Sequence, residues 1–253
     1  MSTPKQIRVL LLLLLLAPLV FLLFIGVDPQ PNWDRTLVVG LYPDNADGSE
    51  EAAAMIADLD SGDFLAIEDY FSAQARAHGL PLDRPFEFRL GEKIDRSPPP
   101  PPARHRTRDQ LPWAIQLRWW HYRLNRQGLQ PDIVVVLRFH GNDEPARLHS
   151  IGMAQPRLAL VNLVANPEMQ AYNQIVIAHE LLHTVAADDL YSTQNRSPSF
   201  PDGYAAPDQQ PRYPQTKAEL MAMRIPITAE LARPPRALED TMIGDETAEQ
   251  IGW

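Results

Sequence analysis

Residues Gln174 to Val185 read Gln-Ile-Val-Ile-Ala-His-Glu-Leu-Leu-His-Thr-Val, an apolar segment of helical character that carries two histidines and a glutamate. On a helix, residues four apart project from the same side about one turn from each other. Whatever fold the chain adopts must therefore present His179 and His183 to one place, with Glu180 beside them. A lone histidine on such a helix is usually structural. A pair at this spacing with an adjacent carboxylate has the arrangement of a ligand pair.

The surrounding sequence limits what that pair can serve. With 253 residues, 45% hydrophobic and 22% charged, the chain is globular and long enough to bury a sizeable core. A formal net charge of −9 excludes a general nucleic-acid binder, which needs a basic surface to displace counterions. There is no cysteine, so disulfides, thiolate ligands and thiol catalysis are excluded.

Val9 to Val27 is an almost unbroken apolar run of 19 residues, preceded by Lys5 and Arg8 and followed by Asp28 and Asp34. A helix of that length spans a hydrocarbon core, and the positive flank stays on the cytoplasmic side. A cleaved signal peptide is the competing reading, but the run ends Phe21-Leu-Leu-Phe-Ile-Gly with no Ala-x-Ala site. The expectation is a single-pass membrane protein, with 1–8 cytoplasmic, 9–27 a transmembrane signal-anchor, 28–35 a linker, and 36–253 one domain on the periplasmic or extracellular side. If the run were cleaved, the domain would be secreted.

Within that domain, Thr36–Tyr42 reads as a buried strand ending at Pro43, and Phe86–Leu90 as a half-exposed one. Glu50 to Leu59 and Phe64 to His78 have helical composition, with Gly79 as a stop. Ser97 to Ala103 contains five consecutive prolines and reads as a stiff surface spacer, followed by the basic cluster Arg104–Arg108. Gln110 to Gln127 is expected as a helix, with Trp113, Ile115, Leu117, Trp119, Trp120 and Leu124 on or near its packed side. Strands follow at Asp132–Phe139, Arg147–Met153 and Arg157–Val164, and then the histidine helix. Alternation of this kind indicates a mixed α/β sheet. From Asp189 onward the sequence turns to loops rich in Pro, Ser and Gln, with a short apolar stretch at Glu219–Ile227.

Two imidazoles one turn apart can grip a zinc ion, and Glu180 is placed to work on a water at the metal. A hydrolytic zinc site needs a third protein ligand and an open position, and Asp188, Asp189 and Glu219 are the candidates. Acids at a helix C-terminus oppose the dipole, which argues against Asp188 and Asp189 being merely solvated there.

At this point the chain resembles the metzincin zinc peptidases, whose motif is His-Glu-x-x-His-x-x-Gly-x-x-His, or Asp at the last place in the snapalysin-like branch. His179, Glu180 and His183 match, Ala186 falls on the glycine, and Asp189 on the third ligand. Glu219-Leu-Met-Ala-Met223 looks similar to the family's methionine turn, with Met221 in the methionine place and Met223 where a tyrosine often stands. Tyr191 is a substitute candidate for that phenol. The resemblance covers 36–227 in layout, but only 179–191 and 219–223 in motif.

It implies a zincin-like α/β (α+β) fold and a zinc-dependent endopeptidase. In that reading His179, His183 and Asp189 hold Zn2+, Glu180 is the general base, and a peptide or protein substrate adds to an edge strand, for which Arg157–Val164 is the candidate. Two alternatives stand beside it: a gluzincin-like hydrolase with Glu219 as third ligand, and a catalytically degenerate zinc-bound domain that binds peptides of the envelope or cell exterior. Non-peptide amides are a further substrate class. Ala186 makes a left-handed exit from the helix cost about 1 kcal/mol more than glycine would.

Overall fold

In the computed structural model, residues 4–25, 30–102, 107–125, 128–141 and 149–253 are described. The sheet has five strands: β1 (Leu37–Asn45), β2 (Phe86–Leu90), β3 (Ile133–His140), β4 (Ile151–Met153) and β5 (Leu158–Val164). Their order is β2-β1-β3-β5-β4, parallel throughout except for the antiparallel edge strand β4. The three central strands are apolar on both faces, as a covered parallel sheet requires. Val39, Leu41, Val135, Leu137, Val161 and Leu163 point to one side, where α2 (Glu50–Asp58), α3 (Leu65–Ala77) and α5 (Gln170–His183) pack. Val134, Val136, Leu158 and Leu160 point to the other, against α4 (Thr107–Asn125). The result is a three-layer mixed α/β domain, the class expected from the sequence.

Several boundaries differ from expectation. β1 runs on through Pro43 to Asn45, because the Pro43 carbonyl, and hence its nitrogen, faces the side where β2 has already ended; that carbonyl accepts from Ile94 at 3.0 Å. On α4, Trp113, Leu117, Trp120 and Leu124 pack inward, whereas Ile115 and Trp119 lie on its solvent side. The Pro-rich segment lies against this helix, with the indoles of Trp113 and Trp120 donating to the carbonyls of Pro99 and Arg96. Residues 104–106, 126–127 and 147–148, part of the expected basic cluster, helix end and strand start, lie outside the described residues.

The membrane anchor expected over 9–27 is not sustained. Among the described residues, no helix is long and apolar enough to cross a membrane. The helix α1 covers Pro4–Ile25. Residues 26–27 of the run lie outside the described residues. The single-pass membrane localisation expected from that run is corrected accordingly.

The edge assignment is corrected too. Strand β5, expected to receive a substrate strand, pairs with β3 on one side and β4 on the other, so it has no free edge; β4 is the edge beside α5. The rest of the chain wraps around the α5 end of the sheet through four two-residue strands, β6 (Ala218–Glu219), β7 (Ile225–Pro226), β8 (Ala232–Arg233) and β9 (Thr241–Met242), and ends in α6 (Asp245–Ile251).

Candidate metal centre

Helix α5 is held by its apolar side. Ile175, Ala178, Leu181 and Leu182 are fully buried, and each buried Leu or Ile contributes about 1.5–3 kcal/mol. Its start is pinned to the sheet by Asn173, whose side chain both donates to the Val164 carbonyl and accepts from the Val164 N–H. With that orientation fixed, the opposite stripe, Tyr172, Val176, His179, Glu180 and His183, lines an open cavity of about 370 Å3.

The helix ends in a left-handed turn. Ala186 takes φ +84°, and the Ala187 N–H reaches back five residues to the Leu182 carbonyl at 3.1 Å. Ala186 thus adopts the conformation glycine would, despite its Cβ. The turn has two consequences. The Ala187 carbonyl accepts the Nδ1–H of His183 at 2.7 Å, and the chain doubles back so that Asp189 faces the histidines.

Three ligand atoms converge there. His179 Nε2 and His183 Nε2 are 3.2 Å apart, and Asp189 Oδ1 lies 3.3 Å and 3.2 Å from them. Around a tetrahedral zinc with ligand distances of about 2.0–2.2 Å, neighbouring ligand atoms are about 3.3–3.6 Å apart. The observed triangle sits at the short end of that range. The group can hold a metal ion.

The tautomers make the same point chemically. His179 Nδ1–H donates to the Leu220 carbonyl at 3.1 Å, as His183 Nδ1–H does to Ala187. Both Nε2 atoms therefore carry lone pairs, directed at each other and at a carboxylate oxygen. Burial opposes the Asp189 charge, but the two adjacent histidines outweigh it and hold its carboxyl well below the usual range. Burial likewise opposes a charged His183, and Asp189 and Glu180 overcome it, raising its pKa. Three acceptors at this separation are suited to sharing a cation.

Glu180 is 7% exposed, and burial pushes its pKa up; the two histidines and the Gly152 N–H pull the other way. It lines the same cavity. Of the other proposed ligands, Asp188 is exposed and only its backbone is engaged, to Gln250 at 2.8 Å. Glu219 is fully buried and its carboxylate is saturated. It accepts from the N–H groups of Met221, Ala222 and Gly244 and from the Thr247 hydroxyl, at 2.6–3.1 Å. A carboxylate with four donors has no oxygen to spare for a metal, which removes the gluzincin-like arrangement.

Met221 is also fully buried, in the short turn Leu220–Ala222 that Glu219 caps. The turn acts through its backbone: the Leu220 carbonyl orients His179, and the Met221 carbonyl accepts from Leu190 at 3.1 Å, beside Asp189. Tyr191 borders the cavity near Asp189; burial and that carboxylate push its phenol up to about 12.

Sequence reasoning did not single out Gly152, Tyr172, Arg196 or Arg224. Gly152 of β4 packs against the backbone of α5, where a Cβ would fall 2.5 Å from His183 Cβ and closer still to the Glu180 carbonyl. A glycine inside a strand is itself a signal of close backbone approach. Tyr172 was legible as the residue seven before His179 on the same stripe. Arg196 and Arg224 come from loops, where no periodicity points. Compared with known proteins, the chain matches no family model and no curated sequence.

Proposed function

We propose that the chain is a zinc-dependent hydrolase of peptide bonds. The observation that carries this reading is the triangle of His179 Nε2, His183 Nε2 and Asp189 Oδ1, three lone-pair atoms set at zinc-ligand spacing on the wall of an open cavity. Two imidazoles and one carboxylate suit zinc, and three protein ligands leave a position for water, as hydrolytic sites require. An ion bound there supplies Lewis-acid polarisation and a water acidified towards neutrality.

The chain's own residues do the rest. The carbonyls of Leu220 and Ala187 keep both imidazoles in the Nδ1–H tautomer, so each Nε2 stays available. Glu180, buried and with its pKa raised, takes a proton from the attacking water on its carboxylate and passes it to the departing amine. Tyr191, protonated across the working range, is the phenol nearest the site that can donate a hydrogen bond to a developing oxyanion. Strand β4 is the free edge along which an extended peptide can lie.

The test is elemental analysis and peptide cleavage with the purified chain. The expected result is one zinc per chain, cleavage lost on chelation and restored by zinc, and a fall of about 10²–10⁴-fold in Glu180→Gln with zinc retained. A chain that binds no zinc overturns the reading. A chain that binds zinc and cleaves no member of a broad peptide library, with Glu180→Gln silent, overturns the enzyme and leaves a binding domain.

A further inference from the structure

The cavity wall carries a second set of polar groups. Besides the metal group and Glu180, its lining includes Tyr172, Arg196 and Arg224. Arg224 follows the Met221 turn, is half-buried, and is steadied by donating to the Ala232 carbonyl at 3.2 Å. Arg196 projects from the loop after Asp189, in a turn closed by Arg196 N–H to Ser192 carbonyl at 2.8 Å and by pairing of Tyr191 with Pro198. Among the described residues, no carboxylate forms an ion pair with either guanidinium. Both guanidiniums share the cavity wall with Tyr172, and their charge favours its ionised form against burial. In a chain of net charge −9, a site edge lined by two cations is a local inversion. The acids that share the cavity are Asp189, grouped with the two histidines, and Glu180, on the same helix as they are.

The geometry points to Arg196 and Arg224, with Tyr172, as a carboxylate-binding subsite that selects acidic peptides for the site carrying His179, His183 and Asp189. This rests on the hydrolytic reading of that site. Guanidinium forks match a carboxylate in charge and shape, and a phenol adds a further donor. Tyr172 stands seven residues before His179, about 10 Å along the helix axis, and an extended peptide covers that in about three residues. The selected group is an Asp or Glu side chain within about three residues of the bond cut, or the carboxylate of a chain end at that distance.

The experiment uses the full chain with zinc and fluorescence-quenched peptides carrying Glu or Gln at each of the three positions on either side of the bond, each made with a free or amidated C-terminus. The expected result is a Glu-over-Gln ratio in kcat/KM of about tenfold at one position. That ratio should collapse towards one in Arg196→Gln/Arg224→Gln and be kept in part by Arg224→Lys. A preference that follows the free terminus instead of the internal Glu assigns the subsite to chain ends. A second measurement needs no turnover: binding of fluorescein-labelled Ala-Ala-Glu-Glu-Ala-Ala and its Gln counterpart to the Glu180→Gln protein. The Glu peptide should bind at least about fivefold more tightly, and the difference should vanish in the Arg variants. Cleavage with no Glu preference overturns the subsite and leaves the hydrolase standing. Arg-dependent binding without cleavage of any peptide overturns the hydrolase and leaves the subsite.

Discussion

The Nδ1–H of His179 donates to the carbonyl oxygen of Leu220 at 3.1 Å, across 41 positions of sequence. That carbonyl belongs to a turn whose first N–H groups are held by Glu219, which is itself tied to Gly244 and Thr247. A fully buried acid thus fixes the orientation of one imidazole of the candidate metal group without belonging to that group.

Glu219→Gln and Asp189→Ala should therefore behave differently. Replacing an oxygen of Glu219 with an amide NH2 sets donor against donor and should cost about 2–4 kcal/mol of stability in urea unfolding. Zinc stoichiometry should stay at one, with affinity down about 10–100-fold through the loosened imidazole. Asp189→Ala removes a ligand atom, so calorimetric titration should lose the stoichiometric site while the fold survives. The reverse pattern would make Glu219 the ligand.

Ala186→Gly should stabilise the protein. Alanine at φ +84° pays about 1–2 kcal/mol for its Cβ, offset in part by the larger unfolded-state entropy of glycine. The net expectation is about 0.5–1 kcal/mol more stability with zinc affinity unchanged, read by urea unfolding and zinc titration. Destabilisation by glycine would show that Ala186 contributes packing that outweighs its strain.

Much of the scaffold was legible because its residues repeat: the β-branched strands at 37–45, 133–140 and 158–164 and the apolar stripe of α5 follow the two periods that burial imposes. The resemblance to the metzincin motif pointed to Asp189, and one left-handed residue after the helix suffices to return the chain there. The role of Glu219 was not legible, because two of its four partners, Gly244 and Thr247, lie in a segment that meets it only after folding. The Arg196 and Arg224 loops have no period to read. Hydropathy over 9–27 measured composition and continuity, and neither quantity settles whether a helix spans.

Gly152→Ala should weaken the centre from outside it. The added Cβ would press on the Glu180 carbonyl and on His183 Cβ, and both are backbone-fixed neighbours that cannot swing away. Strand β4, short and at the edge, is the element free to move. The expected outcome is a drop of about tenfold or more in zinc affinity and cleavage, with only a modest loss of stability. Unchanged zinc binding would mean the edge strand shifts without disturbing the helix.

Stability should fall on mild acidification because of a group remote from the metal. His121, on α4, has its pKa lowered to about 4 by burial and by neighbouring Arg118. In the unfolded chain it takes a proton below about 6.5, whereas folded it stays neutral until about 4. The unfolded state then binds more protons over this window, so stability is fully present above pH 6.5 and is lost as the pH falls towards 4. This limb is worth at most about 3 kcal/mol. In urea unfolding between pH 7 and pH 4, His121→Gln should lose less stability than the unsubstituted protein. Carboxylates and the metal-site histidines titrate alike in both proteins, so the difference between the two curves isolates His121; parallel curves would mean that its imidazole titrates alike folded and unfolded.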